Sequence, residues 1–100
     1  EMIAMTLIGH AGETKSLAYQ AMNAAKAGKF DEAEEFMKKS TEEMLKAHEL
    51  QTDLIVREAG GEKMEVGLIM VHSQDHLMTA ILFKELAKEF IEVYKRLEQK

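Results

Sequence analysis

The segment LIMVHSQDHLMTAILF, residues 68–83, decides how this chain folds, because it is apolar except for one polar cluster. At 100° per residue in an α-helix, four of its side chains share one face: His72, Asp75, His76 and Thr79. Ionisable groups in apolar surroundings are costly unless they are paired, bound to a metal or used in chemistry. The cluster therefore marks the candidate functional site.

Length and composition predict one globular domain, residues 1–100. The chain has 46% hydrophobic and 31% charged residues, which suits a folded protein rather than a disordered one. It has no cysteine, so it can form neither a disulfide nor a cysteinyl intermediate. The net charge of −5 disfavours nucleic acid and anionic membranes as partners. The longest stretch without Asp, Glu, Lys or Arg, residues 2–12, is shorter than the ~20 apolar residues of a membrane span.

Glycines mark the ends of helices in a chain that contains no proline. The first helix is expected to end near Ala27, because Gly28 follows an alanine-rich run and is a good helix stop. The small side chains of this helix form a narrow face that lets a neighbouring helix come close. Gly9 and Gly12 favour a break or fraying near its start.

The second and third helices follow after short connections. The second is expected from about residue 32 to 59, with Asp31 as its N-cap and Glu34 as the capping-box partner. The third is expected from near Val66 to near Glu98. No hairpin turn and no sustained apolar–polar alternation indicates a strand. Short connections join antiparallel neighbours, so the sequence predicts an all-α, antiparallel three-helix bundle with up-down-up topology.

The third helix is apolar around most of its girth, which is typical of a helix that is buried on most sides. A bundle of three helices cannot bury such a helix by itself. We therefore expect a homo-oligomer with helix three on the inside. The apolar residues of one stripe are Leu68, Val71, Met78, Leu82, Leu86 and Val93.

The third helix also carries a resemblance to a known family. Val71 through Ala80 read Val-His-Ser-Gln-Asp-His-Leu-Met-Thr-Ala. This pattern resembles that of enzyme IIA of the lactose/cellobiose class, which includes N,N'-diacetylchitobiose, of the bacterial phosphoenolpyruvate-dependent sugar phosphotransferase system (PTS). Supporting stretches run in the same order along the chain, at residues 11–18, 27–33, 48–52 and 58–63. The stretch 71–78 is specific, whereas the alanine and glycine segments would be weak alone.

The resemblance implies a cytoplasmic homotrimer of three-helix subunits that carries phosphate during sugar uptake. In this family a histidine accepts phosphate from the phosphocarrier HPr and passes it to a cysteine of enzyme IIB. The membrane component IIC then moves and phosphorylates a disaccharide such as cellobiose, chitobiose or lactose. Matched by position, His72 is the phosphorylated nucleophile. Asp75 matches a buried aspartate near the trimer axis that can bind a divalent metal, usually assigned as magnesium (Mg2+).

The residues of the cluster suit these roles and leave others open. A neutral imidazole is a good nucleophile near pH 7, and phosphoryl transfer rests mainly on positioning and electrostatics, which suits His72. Gln74, His76 or groups from another subunit are candidate donors to the phosphate, and Gln74 is placed to reach across a subunit boundary. Three Asp75 carboxylates at one axis need a cation or added protons, and oxygen ligands favour Mg2+. Alternatively, Asp75 orients one of the histidines through a hydrogen bond.

Two other functions stay open on the residues alone. His72, Asp75 and His76 have the spacing of a three-ligand zinc face, which would make the chain a non-enzymatic metal-binding bundle. A structural or adaptor bundle built around the apolar third helix is the second alternative. The resemblance favours phosphoryl transfer over both. Of the remaining histidines, His48 is expected at the surface or in packing, and the role of His10 is open.

Overall fold

Three long helices make up the described part of the chain, which is residues 2–99 of a computed structural model. Helix α1 spans Met2–Lys26, α2 spans Phe30–Ala59 and α3 spans Leu68–Glu98. No strand occurs within this range, so the prediction of an all-α fold with three helices is confirmed. The helices form a rod with principal extents of 57 × 20 × 16 Å.

Side-chain contacts show that α1 and α2 run antiparallel. The hydroxyl of Ser40 donates a hydrogen bond of 2.8 Å to the backbone carbonyl of Thr14. One turn away, Nδ1 of His10 lies 2.7 Å from Oε1 of Glu43. Residue numbers fall along α1 as they rise along α2 in these two pairs, as antiparallel packing requires.

Helices α1 and α3 run parallel, which completes the up-down-up topology. A Cβ added to Gly12 would lie 3.5 Å from Nε2 of His76. Further along, the ring centroids of Tyr19 and Phe83 are 6.4 Å apart. Both pairs are separated by the same number of residues, so the two helices keep one register over several turns. The predicted topology is confirmed.

The expected break near the start of α1 is wrong. The helix is continuous through Gly9 and Gly12. Leu7 and Ala11, on either side of Gly9, are fully buried in the core. Their packing outweighs the ~1 kcal/mol that a glycine costs in a helix interior.

Helix α2 begins before the predicted capping box. Lys29 is the N-cap residue and no side chain caps the helix, so the assignment of Asp31 and Glu34 to a capping box is wrong. Gly28 has a φ of 81°, and the N–H of Lys29 bonds a carbonyl in the last turn of α1 at 2.8 Å. This tight turn brings Phe30 into the first turn of α2, where it packs against the buried alanines of α1.

Helix α3 begins at Leu68, slightly later than expected, and ends at Glu98 as predicted. Small residues of α1 form much of the core, which draws the three helices close together. The fully buried ones on α1 include Ala4, Ala11, Ala18 and Ala21. Within residues 2–99, none of the helices combines the length and the apolar character that a membrane crossing needs.

One side of α3 stays uncovered by the other two helices. Its apolar side chains are between 49% and 85% exposed. Their spacing of three or four residues, or of two turns between Val71 and Met78, places them on one stripe that follows the helix for its whole length. We call this set the α3 stripe: Leu68, Val71, Met78, Leu82, Leu86, Phe90, Val93 and Leu97.

Candidate functional site

The polar cluster lies near the N-terminal end of α3. The N–H of Val71 bonds the carbonyl of Gly67 at 3.1 Å, so His72 lies just beyond the first turn. His72 and Asp75 are exposed, whereas His76 is half-buried. The two histidines and the aspartate therefore lie at the surface, where a partner or another subunit can reach them.

His72 and His76 form a stacked pair. Their ring centroids are 5.4 Å apart and their planes are inclined by 21°. The ring of His76 lies close to α1, since a Cβ added to Gly12 would be in ordinary contact with Nε2 of His76. His76 thus forms a fixed support under the freely accessible ring of His72.

His76 is held in its neutral form at physiological pH. Burial lowers the pKa of this imidazole, the charges of Lys15 and His72 lower it further, and Asp75 opposes the change. A neutral imidazole has one N–H donor and one nitrogen acceptor. His76 can therefore donate a single hydrogen bond to a group on His72 without carrying a charge of its own.

Gln74 points toward α2 and is engaged there. Nε2 of Gln51 donates a hydrogen bond of 2.8 Å to Oε1 of Gln74. Nε2 of Gln74 donates to the hydroxyl of Ser73 at 3.4 Å, and that hydroxyl donates to the carbonyl of Met70 at 2.7 Å. The sequence favours a reach of Gln74 toward another subunit, but its amide is engaged within this chain. The fully buried Ser73 points into the core.

The zinc face that the spacing of His72, Asp75 and His76 left open is not formed in the structure. Among residues 2–99, no group of three His, Cys, Asp or Glu side chains is placed to hold a metal ion. Stacked rings direct their nitrogen lone pairs along nearly parallel planes, whereas zinc needs both nitrogens to point at one centre about 2.0–2.1 Å away. A site built from Asp75 of several subunits would be a different arrangement, which one chain cannot form.

An apolar groove lies on the α2 side of the start of α3, and its lining includes Val71 and Gln74 but not His72. It has a volume of about 320 Å³ and lies between the end of α2, the connection 60–67 and the first turns of α3. Exposed apolar surface of this kind is typical of places where protein partners bind. The groove residues include Gln51, Leu54, Ile55, Met64, Val66, Met70, Val71 and Gln74.

The other two histidines lie away from this site. His10 pairs with Glu43 between α1 and α2, and Lys46 also contacts Glu43 at 3.1 Å. The hydrogen bond from His10 is the main reason that the pKa of Glu43 is lowered. His48 is exposed on α2, as expected. His10 therefore has a packing role, which the sequence left open.

Sequence reasoning missed three residues that shape the site: Gly12, Lys15 and Gln51. Each comes from a helix other than α3. The sequence did point to these regions, because the stretches 11–18 and 48–52 match the family pattern. The pattern alone gave these residues no role in the site. Only the packing of α1 and α2 against α3 shows what they contact.

The fold and the site together define an all-helical protein with an accessible histidine pair near one end of a rod. Residues 2–95 match the family described as "PTS system, Lactose/Cellobiose specific IIA subunit". The lichenan-specific phosphotransferase enzyme IIA component of Bacillus subtilis (strain 168) is 46% identical over 99 residues, which cover 99% of this chain and 90% of that protein.

Two solved structures agree with this match. The crystal structure of the cellobiose-specific PTS enzyme IIA from Bacillus anthracis is 50% identical with a TM-score of 0.98, and the match covers 100% of this chain and 92% of that one. A chain of the IIA(chitobiose)–HPr complex of Escherichia coli is 44% identical with a TM-score of 0.86, and the match covers 98% and 95% of the two chains. The chain belongs to the lactose/cellobiose-specific IIA family and is a phosphotransferase component of the PTS.

Proposed function

We propose that this chain carries phosphoryl groups on His72 during the uptake of a disaccharide of the cellobiose, chitobiose or lactose class. Phospho-HPr is the donor, a cysteine of enzyme IIB is the acceptor, and the membrane component IIC uses the phosphate indirectly. The chain acts in the cytoplasm. The observation that carries this proposal is the exposed imidazole of His72, supported from below by His76.

The bonds that form and break in the transfer involve only the two imidazoles and the thiolate. A ring nitrogen of neutral His72 attacks the phosphorus of the donor phosphohistidine, and the donor N–P bond breaks with its electron pair left on the donor ring. The proton that leaves the other ring nitrogen of His72 balances, through solvent, the one that the donor ring takes up. In the second step the thiolate of enzyme IIB attacks the same phosphorus. The N–P bond to His72 then breaks, its electron pair stays with the ring, and the ring takes up from solvent a proton equivalent to the one that the thiol released on ionising.

His76 and Gln74 support the phosphoryl group rather than react with it. Neutral His76 donates one hydrogen bond toward the phosphoryl oxygens and keeps the His72 ring in place by stacking. Gln74 anchors the start of α3 to α2 through Gln51. Both residues hold the side chains of the site in place before the transfer, so fewer side chains have to move when it occurs.

The proposed assembly is a homotrimer with the α3 stripe on the inside. An exposed apolar stripe of this length is unusual for a protein that stays monomeric. Three copies of α3 would cover one another along the stripe, and His72, one residue beyond Val71, would stay at the edge of the contact. Three subunits would therefore present three separate phosphorylation sites.

Asp75 lies within the α3 stripe, between Val71 and Met78. In the proposed trimer three Asp75 carboxylates would approach one axis, and their repulsion would be relieved by a divalent cation or by protons. Carboxylate oxygens fit Mg2+ better than zinc. Such an ion would stabilise the assembly, and it takes no part in the transfer.

A phosphotransfer assay with matched histidine variants tests this function. The chain is incubated with enzyme I, HPr and labelled phosphoenolpyruvate, alongside His72→Gln, His76→Gln and His48→Gln. We expect acid-labile, base-stable label on the wild type and on His48→Gln, slower labelling of His76→Gln, and none on His72→Gln. Label on folded His72→Gln would refute the assignment of the nucleophile. The addition of enzyme IIB should then discharge the wild type.

A further inference from the structure

One edge of α1 follows the site along α3. Gly12, Lys15 and Tyr19 lie three to four residues apart, so they share one side of α1. A Cβ added to Gly12 would lie 3.5 Å from Nε2 of His76, and the ring centroids of Tyr19 and Phe83 are 6.4 Å apart, which places this side of α1 along α3 from His76 to Phe83. Lys15 lies between these two contacts.

Helix geometry directs the side chain of Lys15 toward the histidine pair. Side chains of an α-helix tilt toward its N-terminus, so a lysine covers the turn that precedes its own Cα. For Lys15 that turn is the one containing Gly12, which is the level of His76. Lys15 is half-buried, and a lysine in this position packs its hydrocarbon stem while its charged end reaches toward water.

The charge of Lys15 is available to a ligand. Among residues 2–99, no carboxylate lies within ion-pair distance of Lys15. Its positive charge contributes to the lowered pKa of His76, which agrees with a position close to that ring. A phosphoryl group on His72 would bring about two negative charges to this place.

We propose that the ammonium group of Lys15 binds the phosphoryl group carried by His72 and stabilises the phosphorylated form. This inference rests on the proposed function of His72. Lys15 keeps its proton throughout and forms no covalent bond, so the transfer chemistry is unchanged. The role of Lys15 is to offset the negative charge of the phosphoryl group. No other group among the described residues of the site does so, because His76 is neutral and the carboxylate of Asp75 lies one turn away from His72.

The test compares three variants in the same phosphotransfer mixture: Lys15→Gln, Lys15→Arg and Lys26→Gln. Lys26 is an exposed lysine in the last turn of the same helix, which makes it the matched control. The measured quantity is the equilibrium distribution of phosphate between HPr and the chain. We expect Lys15→Gln to shift it toward HPr by about tenfold, the loss of one charge-assisted hydrogen bond, while Lys15→Arg and Lys26→Gln stay close to wild type.

Salt provides a second readout that a purely structural role would not change. Raising the salt concentration should weaken phosphate retention in the wild type and have less effect on Lys15→Gln, because screening acts on the charge that this variant lacks. A wild-type distribution for Lys15→Gln would overturn the proposal. Equal losses in the Gln and Arg variants, with lowered stability, would also overturn it in favour of packing. If the wild type itself takes no label, the function of His72 fails and the role of Lys15 fails with it.

Discussion

Shortening one leucine of the α3 stripe should weaken the proposed trimer strongly. Leu82 is 60% exposed in the single chain. Burying a whole leucine side chain is worth about 1.5–3 kcal/mol, so covering the exposed part is worth about 1–2 kcal/mol per subunit. A trimer contains three copies, so Leu82→Ala should cost it about 3–5 kcal/mol. That corresponds to a fall in the association constant of roughly a hundredfold to several thousandfold.

Sedimentation equilibrium over a range of protein concentrations measures this change directly. Leu45→Ala is the matched control, because Leu45 is 56% exposed but lies on α2, away from the stripe. The same side chain is shortened at a similar exposure in both variants. We expect Leu45→Ala to assemble like the wild type and Leu82→Ala to dissociate at concentrations where the wild type does not.

Two results would refute the reasoning. Dissociation of Leu45→Ala together with an intact Leu82→Ala trimer would show that α2, not α3, lies inside the assembly. A wild-type chain that is monomeric at every concentration would show that the stripe binds something other than its own copies. Helical content should stay unchanged in both variants, because neither side chain belongs to the buried core of the single chain.

Four further substitutions test other features of the structure and of the proposed trimer. Gly9→Ala and Gly12→Ala should each raise the free energy of unfolding by about 0.5–1 kcal/mol, since the added methyl group meets open space at Gly9 and an ordinary contact at Gly12. Urea titrations measure this change. A lowered free energy of unfolding would mean that another surface covers the helix there. Glu43→Gln should cost about 1 kcal/mol at neutral pH. The lowered pKa of Glu43, set mainly by His10, makes its contribution full above the ordinary value of 4.5 and lost as the pH falls through the lowered pKa. An equal cost in strong acid would contradict this. Asp75→Leu should strengthen the trimer by removing three like charges, and dissociation on this change would place Asp75 off the axis.

The sequence predicted the three helices well, because their ends are set by local signals. Gly28 and Gly61 have positive φ values and close the ends of α1 and α2. The errors arose where packing overrides local preference. The core contact of Phe30 starts α2 ahead of the acidic residues that would have capped it, and the buried neighbours of Gly9 keep α1 unbroken.

The site was predictable only as far as it lies on one helix. The spacing of His72 and His76 determines that their rings can meet, and the structure shows that they stack. Gln51 and Lys15 approach from α2 and α1, and their positions depend on the register between helices. A single sequence does not specify that register, because many pairs of small residues would let two helices approach.

Helix α3 carries the exposed α3 stripe and the histidine pair on neighbouring sides of the same turns. Val71 lies on the α3 stripe and Asp75 is exposed beside it, and each is followed in the sequence by a histidine. The stacking of the two histidine rings keeps their nitrogens from converging with Asp75 on a single ion. Covering the α3 stripe with other copies of α3, as in the proposed trimer, would leave the exposed His72 at the edge of the contact with His76 stacked against it. The proposed assembly and the proposed phosphate transfer would therefore use one helix without competing for the same surface.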